Sequence, residues 1–322
     1  MNIKKIGLSA LAGSLVAFSA NAGEMSVAGS ASLNVEHTNG GFGNAGKTFS
    51  MGNQLTFSGS GELDNGLNVS LSFVLDQGDD KTTTGASANT PINANAPFDS
   101  HSVTISSDAL GSLTFAGEGG SSATSALDGT AAGDIWDSFD GTGDITPTAV
   151  GTGNNMFNYS LPSFADGLSA NISFLPSGAA TESAVGYSAT YAGIDGLSVS
   201  YGAGDGTAST TDAEVMKASY AYGPVTVSYS DYSYDASGTS ADNDTTSFKI
   251  SYTVSDEISI SYGEETIEEG TSQDVETKGI SASYTAGGMT ITAASQSIDN
   301  SAGTTAATED RERWALSASF AF

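Results

Sequence analysis

The chain has 322 residues, no cysteine, and 37 acidic residues against nine basic ones, a formal charge of −28. Absent cysteine excludes a disulfide framework and thiolate metal sites, and so acidic a balance excludes a nucleic-acid binder, which needs a cationic surface. Low hydrophobicity with high net charge can mean disorder, but disorder would not retain 12 Tyr, 14 Phe and a regular apolar alternation.

The first element is a secretory leader over residues 1–22. Met1 to Lys5 is a basic head, Ile6 to Phe18 a short apolar core, and Ala20-Asn21-Ala22 a small-x-small cleavage site, which starts the mature chain near Gly23. The apolar run is too short to anchor in a membrane. Its removal takes away Lys4 and Lys5 and no acid, so the mature charge falls by two, from −28 to −30.

From residue 23 onward the pattern has period 2. Val27, Gly29, Ala31, Leu33 and Val35 alternate with Ser26, Ala28, Ser30, Ser32 and Asn34. The same alternation returns in Leu67 to Leu75, Leu168 to Phe174, Val225 to Tyr229, Phe248 to Val254, Ile258 to Tyr262 and Met289 to Ala293. It marks strands with one apolar and one polar face. Turn residues separate them: Asn65-Gly66, Leu110-Gly111, Asp166-Gly167, Asp195-Gly196, Gly223-Pro224, Asp256-Glu257 and Gly287-Gly288. Longer acidic loops lie between these turns, and the stretch Glu264 to Glu276 is expected to be one of them, facing outward. Counting gives sixteen strands, eight on each side of a turn at Gly193.

Short turns at one end and long loops at the other are the organisation of a transmembrane barrel. A β-sandwich also alternates, but its inner faces are rich in large aliphatics, whereas the polar face here is nearly all Ser, Thr, Gly and Asn. The fold expected is all-β: a 16-stranded antiparallel transmembrane β-barrel over residues 23–322, with a long third loop folded into the lumen.

That loop, about 118–153, contains no Lys or Arg and carries Glu118, Asp128, Asp134, Asp137, Asp140 and Asp144 around Trp136. A connection this long in a compact protein is functional or disordered; folded inward, it would form the narrow part of a pore. The last strand sets Trp314, Leu316, Ala318, Phe320 and Phe322 on one face and Arg313, Ala315, Ser317, Ser319 and Ala321 on the other. At about 3.3 Å per residue and a tilt near 45°, Trp314 to Phe322 spans roughly 19 Å of membrane height.

The C-terminal strand ending in Phe322, the long loop after the fifth strand, and Asn158 to Phe164 leading into Gly167-Leu168 resemble the general porins of the alphaproteobacteria. The resemblance covers the mature chain in pattern. It implies a trimeric pore of the Gram-negative outer membrane with its third loop folded inward. It further implies that Phe322 is read by the barrel-insertion machinery and that the second loop, about Gln77 to Phe98, latches onto a neighbouring subunit. In that family the loop acids face an arginine cluster across the eyelet. Here the only arginines are Arg311 and Arg313, with Lys217 and Lys249 the other chief lumen-parity bases, so a broadly negative pore is expected instead.

The eyelet carboxylates expected are Asp128, Asp134, Asp137, Asp140 and Asp144, with Glu118 at the loop root. Acids gathered without bases titrate high or share a hard cation. Ca²⁺ on Asp134, Asp137 and Asp140 is the candidate, although no cofactor is required. Enzyme chemistry has little foothold: His37 and His101 sit at a strand–loop junction and on a lipid-facing parity, and no G-x-S-x-G elbow with a His partner occurs.

The resulting expectation is a cation-preferring channel for passive diffusion of small hydrophilic solutes. It would be a homotrimer among outer-membrane lipids and lipopolysaccharide. Two alternatives stay open: a substrate-specific porin with a binding site in the channel, and a non-conducting surface barrel or adhesin.

Overall fold

The computed structural model describes residues 25–39, 46–76, 99–139, 153–177, 183–206, 212–235, 242–269, 272–301, 303 and 310–322. The leader, the second loop, Asp140 and Asp144 lie outside them. The alternating runs form strands β1 (Met25–Asn39), β2 (Gly46–Glu62), β3 (Asn68–Asp76), β4 (Ser100–Ser107), β5 (Gly111–Glu118), β6 (Met156–Ser160), β7 (Leu168–Leu175) and β8 (Ala184–Ile194). They continue as β9 (Leu197–Asp205), β10 (Asp212–Tyr222), β11 (Val225–Asp235), β12 (Asn243–Thr253), β13 (Ile258–Glu269), β14 (Val275–Ala286), β15 (Met289–Asp299) and β16 (Arg311–Ala321). Every strand pairs antiparallel with its sequence neighbour, and β1 pairs with β16, so the sheet closes into a barrel. Among the described residues, closure leaves no edge and no second sheet, which removes the sandwich reading.

All seven short turns read from the sequence join strands at one end, and the long connections join them at the other. The midpoint lies at Asp195-Gly196, two residues beyond the expected position, because β8 runs on to Ile194. Gly196 takes φ 74°, and a Cβ there would lie 2.3 Å from the Ala221 carbonyl oxygen, so the hairpin needs glycine.

One face of each strand is apolar and open. Leu33, Ile105, Phe115, Ile172, Tyr229, Ile260 and Leu316 all point away from the lumen and are exposed. A continuous apolar belt of this kind faces lipid rather than water. The inner face carries hydroxyl pairs across strands, among them Thr104–Thr114, Thr190–Ser200 and Ser261–Ser281, each at 2.8 Å.

The packed core lies inside the barrel rather than between sheets. Ile135 and Phe139 of the third loop pack on Ile267, Val275 and Ile298 of β13, β14 and β15, with Ala132 and Trp136 against them. The stretch expected as an outward loop, Glu264 to Glu276, is therefore corrected: β13 extends to Glu269 and β14 begins at Val275. Ile258, Ile260 and Tyr262 point out, so Glu265 and Ile267 point in, each 1 % exposed.

Candidate functional site: a loop laid along the inner wall

The third loop leaves β5 and returns at β6. Its neck is closed by paired backbone hydrogen bonds between Gly120 and Gly153, at 3.0 and 3.1 Å. Asn155 N–H donates to the Gly117 carbonyl, and Asn158 Nδ2 donates to that of Ser121. From this neck the loop crosses the wall strand by strand. Ala123 N–H donates to Ser173 Oγ on β7 at 2.9 Å, and Leu127 packs over Gly202 on β9. Lys217 Nζ on β10 donates to the carbonyls of Leu127, at 3.3 Å, and Gly129. Tyr232 Oη on β11 has those of Leu127, Asp128 and Gly129 within hydrogen-bond reach for its single proton. Ala131 N–H and Ala132 N–H donate to Ser230 Oγ and Ser247 Oγ, each at 2.8 Å.

Glu265 is the central anchor. Its buried carboxylate accepts the Thr130 hydroxyl, Trp136 N–H at 3.1 Å and Thr277 Oγ at 3.0 Å. A buried carboxylate must be fully hydrogen-bonded to be tolerated, and these donors meet that demand while holding the loop to β13. The described part of the loop thus makes its contacts with β6 to β15. The inner faces of β1, β2 and β16 form the opposite side of the passage.

The acids fall into different roles. Asp134 has φ 55°, and its Oδ1 accepts Thr130 N–H at 2.8 Å, so it braces the turn from Thr130 to Asp134. Asp128 and Asp137 are exposed on the loop. Although Asp128 stays in contact with water, partial desolvation by its surroundings, then the nearby Asp134 charge, holds its carboxyl above the usual carboxylate range, against an opposing pull from Lys217. Glu118 ends β5, where a bulge brings it opposite His101; Glu118 Oε2 and His101 Nδ1 are 3.9 Å apart, and His101 stacks on Phe73. Among the described residues no three acids gather closely enough to cage a metal, and Asp134 already uses one oxygen on the backbone.

The bases also separate. Lys217 lies behind the loop, and Lys249 is the inward residue of β12 nearest Gly133. Arg311 is 3 % exposed and donates to Ser301 Oγ at 2.8 Å. Arg313 reaches Glu36 across the β1–β16 seam and donates to Gln296 Oε1 at 2.5 Å. Glu36 also accepts Asn34 Nδ2 and Thr48 Oγ, each at 3.1 Å. Of the two arginines on β16, Arg311 is buried and Arg313 is already paired with an acid. Phe322 lies at the lower end of the same seam, where its N–H and carbonyl exchange hydrogen bonds with Gly29 at 3.0 and 2.7 Å.

Sequence reasoning did not single out Glu265, Tyr232, Ser230 or Ser247. Their signal was a break in the alternation: Met156, Val215, Tyr232, Ile267, Val275 and Ile298 are large and apolar or aromatic yet sit on the lumen parity, all buried. Large residues on a wet face mark something packed against it.

Comparison with known proteins agrees with this geometry. A family model described as Gram-negative porin matches residues 7–274. By sequence, no curated protein matches. The fold is similar to an anion-selective porin from Comamonas acidovorans, with a TM-score of 0.69 at 14 % identity, covering 93 % of this chain and 99 % of that one. It is similar to a mutant of the Rh. blastica porin, with a TM-score of 0.67 at 14 % identity, covering 93 % and 100 %. It is also similar to a loop-deleted OmpT, an outer membrane protein of Vibrio cholerae, with a TM-score of 0.69 at 13 % identity, covering 94 % and 100 %.

Proposed function

The chain belongs to the Gram-negative porin family and is an outer-membrane channel for passive diffusion, not an enzyme; from that premise we propose that its pore prefers cations. The supporting observation is the charge balance around the third loop. Asp128, Asp134 and Asp137 on it outnumber the two bases beside it, Lys217 and Lys249, and Arg313 on the far wall is paired with Glu36. Carboxylates in a low-dielectric constriction enrich cations and deter anions. The Comamonas protein is called anion-selective, so this fold carries either sign, and the lining residues decide. Planar-bilayer recording of the refolded mature protein under a KCl gradient tests the reading. A reversal potential favouring K⁺ supports it, one favouring Cl⁻ overturns it, and no conductance from folded protein returns the surface-barrel alternative.

The channel works as a homotrimer in this reading, after removal of residues 1–22. The outward aromatics support two different arcs. Tyr187, Tyr201, Tyr220, Tyr229, Tyr252, Tyr262 and Tyr284 lie on β8 to β14, while the outer faces of β1 to β7 carry mainly Phe, Leu, Ile and Val, with Tyr159 on β6. Tyr suits the lipid–water interface, so the β8–β14 arc meets lipid and lipopolysaccharide, and the Phe-rich arc meets the neighbouring subunits. Phe322 is the signal for the barrel-insertion machinery. Ca²⁺ on Asp134, Asp137 and Asp140 rests on sequence alone, with Asp140 outside the described residues; calorimetry of the purified trimer without Ca²⁺ heat would remove it.

A further inference from the structure

The loop lies flush with the wall at one inner-face position because that position has no side chain. Gly263 on β13 stands between Lys249 on β12 and Gly279 on β14, facing the lumen. A Cβ on Gly263 would lie 2.7 Å from Ala132 Cβ and 3.2 Å from Ala132 Cα. Ordinary carbon contacts are about 3.5–4.0 Å, so the two methyls cannot coexist in this arrangement. Ala132 has no rotamer with which to move aside, so the backbone of the loop would have to shift.

The direction of that shift is set by the pins on either side. Thr130 and Trp136 are held to Glu265, and Ala131 is held to Ser230. Between them Ala132 has a single bond to the wall, its N–H to Ser247 Oγ at 2.8 Å. The next residue, Gly133, is exposed and takes φ 95°. Volume added at 263 therefore arches Ala132-Gly133 away from the wall, and the only space on that side is the aqueous passage.

We propose that Gly263 is a specificity-determining residue for solute size, although it touches no solute: the volume at 263 sets the stand-off of the loop at Ala132 and so the free width of the pore. The inference rests on the channel reading above but concerns calibre rather than charge. Gly279, nearest Gln296 Cγ at 3.1 Å and Ile135 Cδ1 at 3.4 Å, and Gly202, nearest Leu127 Cδ1 at 3.0 Å and Val215 Cγ1 at 3.1 Å, meet the loop through side chains and not through its backbone. They should tolerate Ala with smaller effects.

The test is a series at one contact: wild type, Gly263→Ala, Gly263→Val, and Gly263→Ala combined with Ala132→Gly. Single-channel conductance and liposome swelling with sugars of increasing size should fall from Gly to Ala to Val, with loss of the largest permeant sugars first. The double variant should recover towards wild type, because the colliding methyl is gone; a general wall defect would not be rescued this way. If a substitution in β13 prevents folding, Ala132→Val places the added volume at the same contact from the loop side. Hydrogen exchange gives a second reading: the Ala132 amide, held to Ser247 Oγ, should exchange faster as the residue at 263 grows. That exchange rate reads the stand-off even if the wild type does not conduct, an outcome that would sink the channel reading alone. Unchanged conductance, sugar cut-off and Ala132 amide exchange in folded Gly263→Val would overturn the proposal.

Discussion

The backbone N–H of Trp136 donates to Glu265 Oε2 at 3.1 Å, joining the third loop to β13. The same carboxylate accepts the Thr130 hydroxyl, so one buried side chain fixes both ends of the turn that carries Asp134.

Glu265→Ala should therefore loosen the loop more than any single loop substitution. It removes an acceptor from buried donors at Thr130, Trp136 and Thr277, at about 1–3 kcal/mol for each group left unsatisfied. The barrel ladder is untouched, so the expected signature is a folded protein with noisy, flickering current and a lower threshold for voltage closure. Glu265→Gln, which keeps one acceptor oxygen, should lie between. A quiet trace from Glu265→Ala would mean that Ser230 and Ser247 suffice as anchors.

Cation preference should fall on mild acidification. Asp128 is held above the usual carboxylate range, chiefly by partial desolvation and then by Asp134. Its charge is present above that raised value and is lost as pH falls through it, before ordinary exposed acids protonate. Reversal potentials measured from neutral pH downward should show an early loss of K⁺ preference, and Asp128→Asn should remove this early step while lowering the starting preference.

Lys217 offsets the two loop acids near it, since its charge is what pulls the Asp128 value back down. Lys217→Gln should raise K⁺ preference at neutral pH and move the early acid step to higher pH. It also removes a donor to the Leu127 and Gly129 carbonyls, but the Tyr232 hydroxyl remains beside them and Ala131 and Ala132 stay bonded to Ser230 and Ser247, so the loop should stay in place. A shift of the reversal potential towards Cl⁻ would refute this assignment.

The β1–β16 seam should depend on the Arg313–Glu36 pair, whose side chains are 12 % and 18 % exposed. Hydrogen bonds to charged groups contribute roughly 1.5–3 kcal/mol, and losing one partner leaves the other charge poorly solvated. Arg313→Gln and Glu36→Gln should each lower the temperature of heat-induced barrel unfolding on a gel. The double variant should cost less than the sum; additive losses would show that the two side chains act separately.

Much of this molecule was legible residue by residue. The seven turns, from Asn65-Gly66 to Gly287-Gly288, joined the strands they were expected to join, because a tight hairpin demands particular backbone angles that few residues adopt. The outward face from Val27 to Val35, and that from Trp314 to Phe322, followed from period 2 alone. The loop after β5 was conspicuous by its length and its acids, yet its acids differ in ways the sequence did not show: Asp134 braces a turn, Asp128 is partly desolvated, and Glu118 meets His101. Glu264 to Glu276 misled because acidic composition suggested a loop, whereas Glu265 is matched by donors from the third loop and β14 and sits inside the wall.

By itself the sequence determined the barrel, since alternation fixes one lipid face and one wet face on every strand, and turn chemistry fixes which strands are neighbours. Only the tertiary structure decided the passage. The loop's course depends on bonds from Ser173, Lys217, Tyr232, Ser230, Ser247 and Glu265 on separate strands, and on the close approach of Ala132 to Gly263. These contacts join residues far apart in the chain, where no local pattern reaches, and closure of the barrel is what brings them to one side of the lumen.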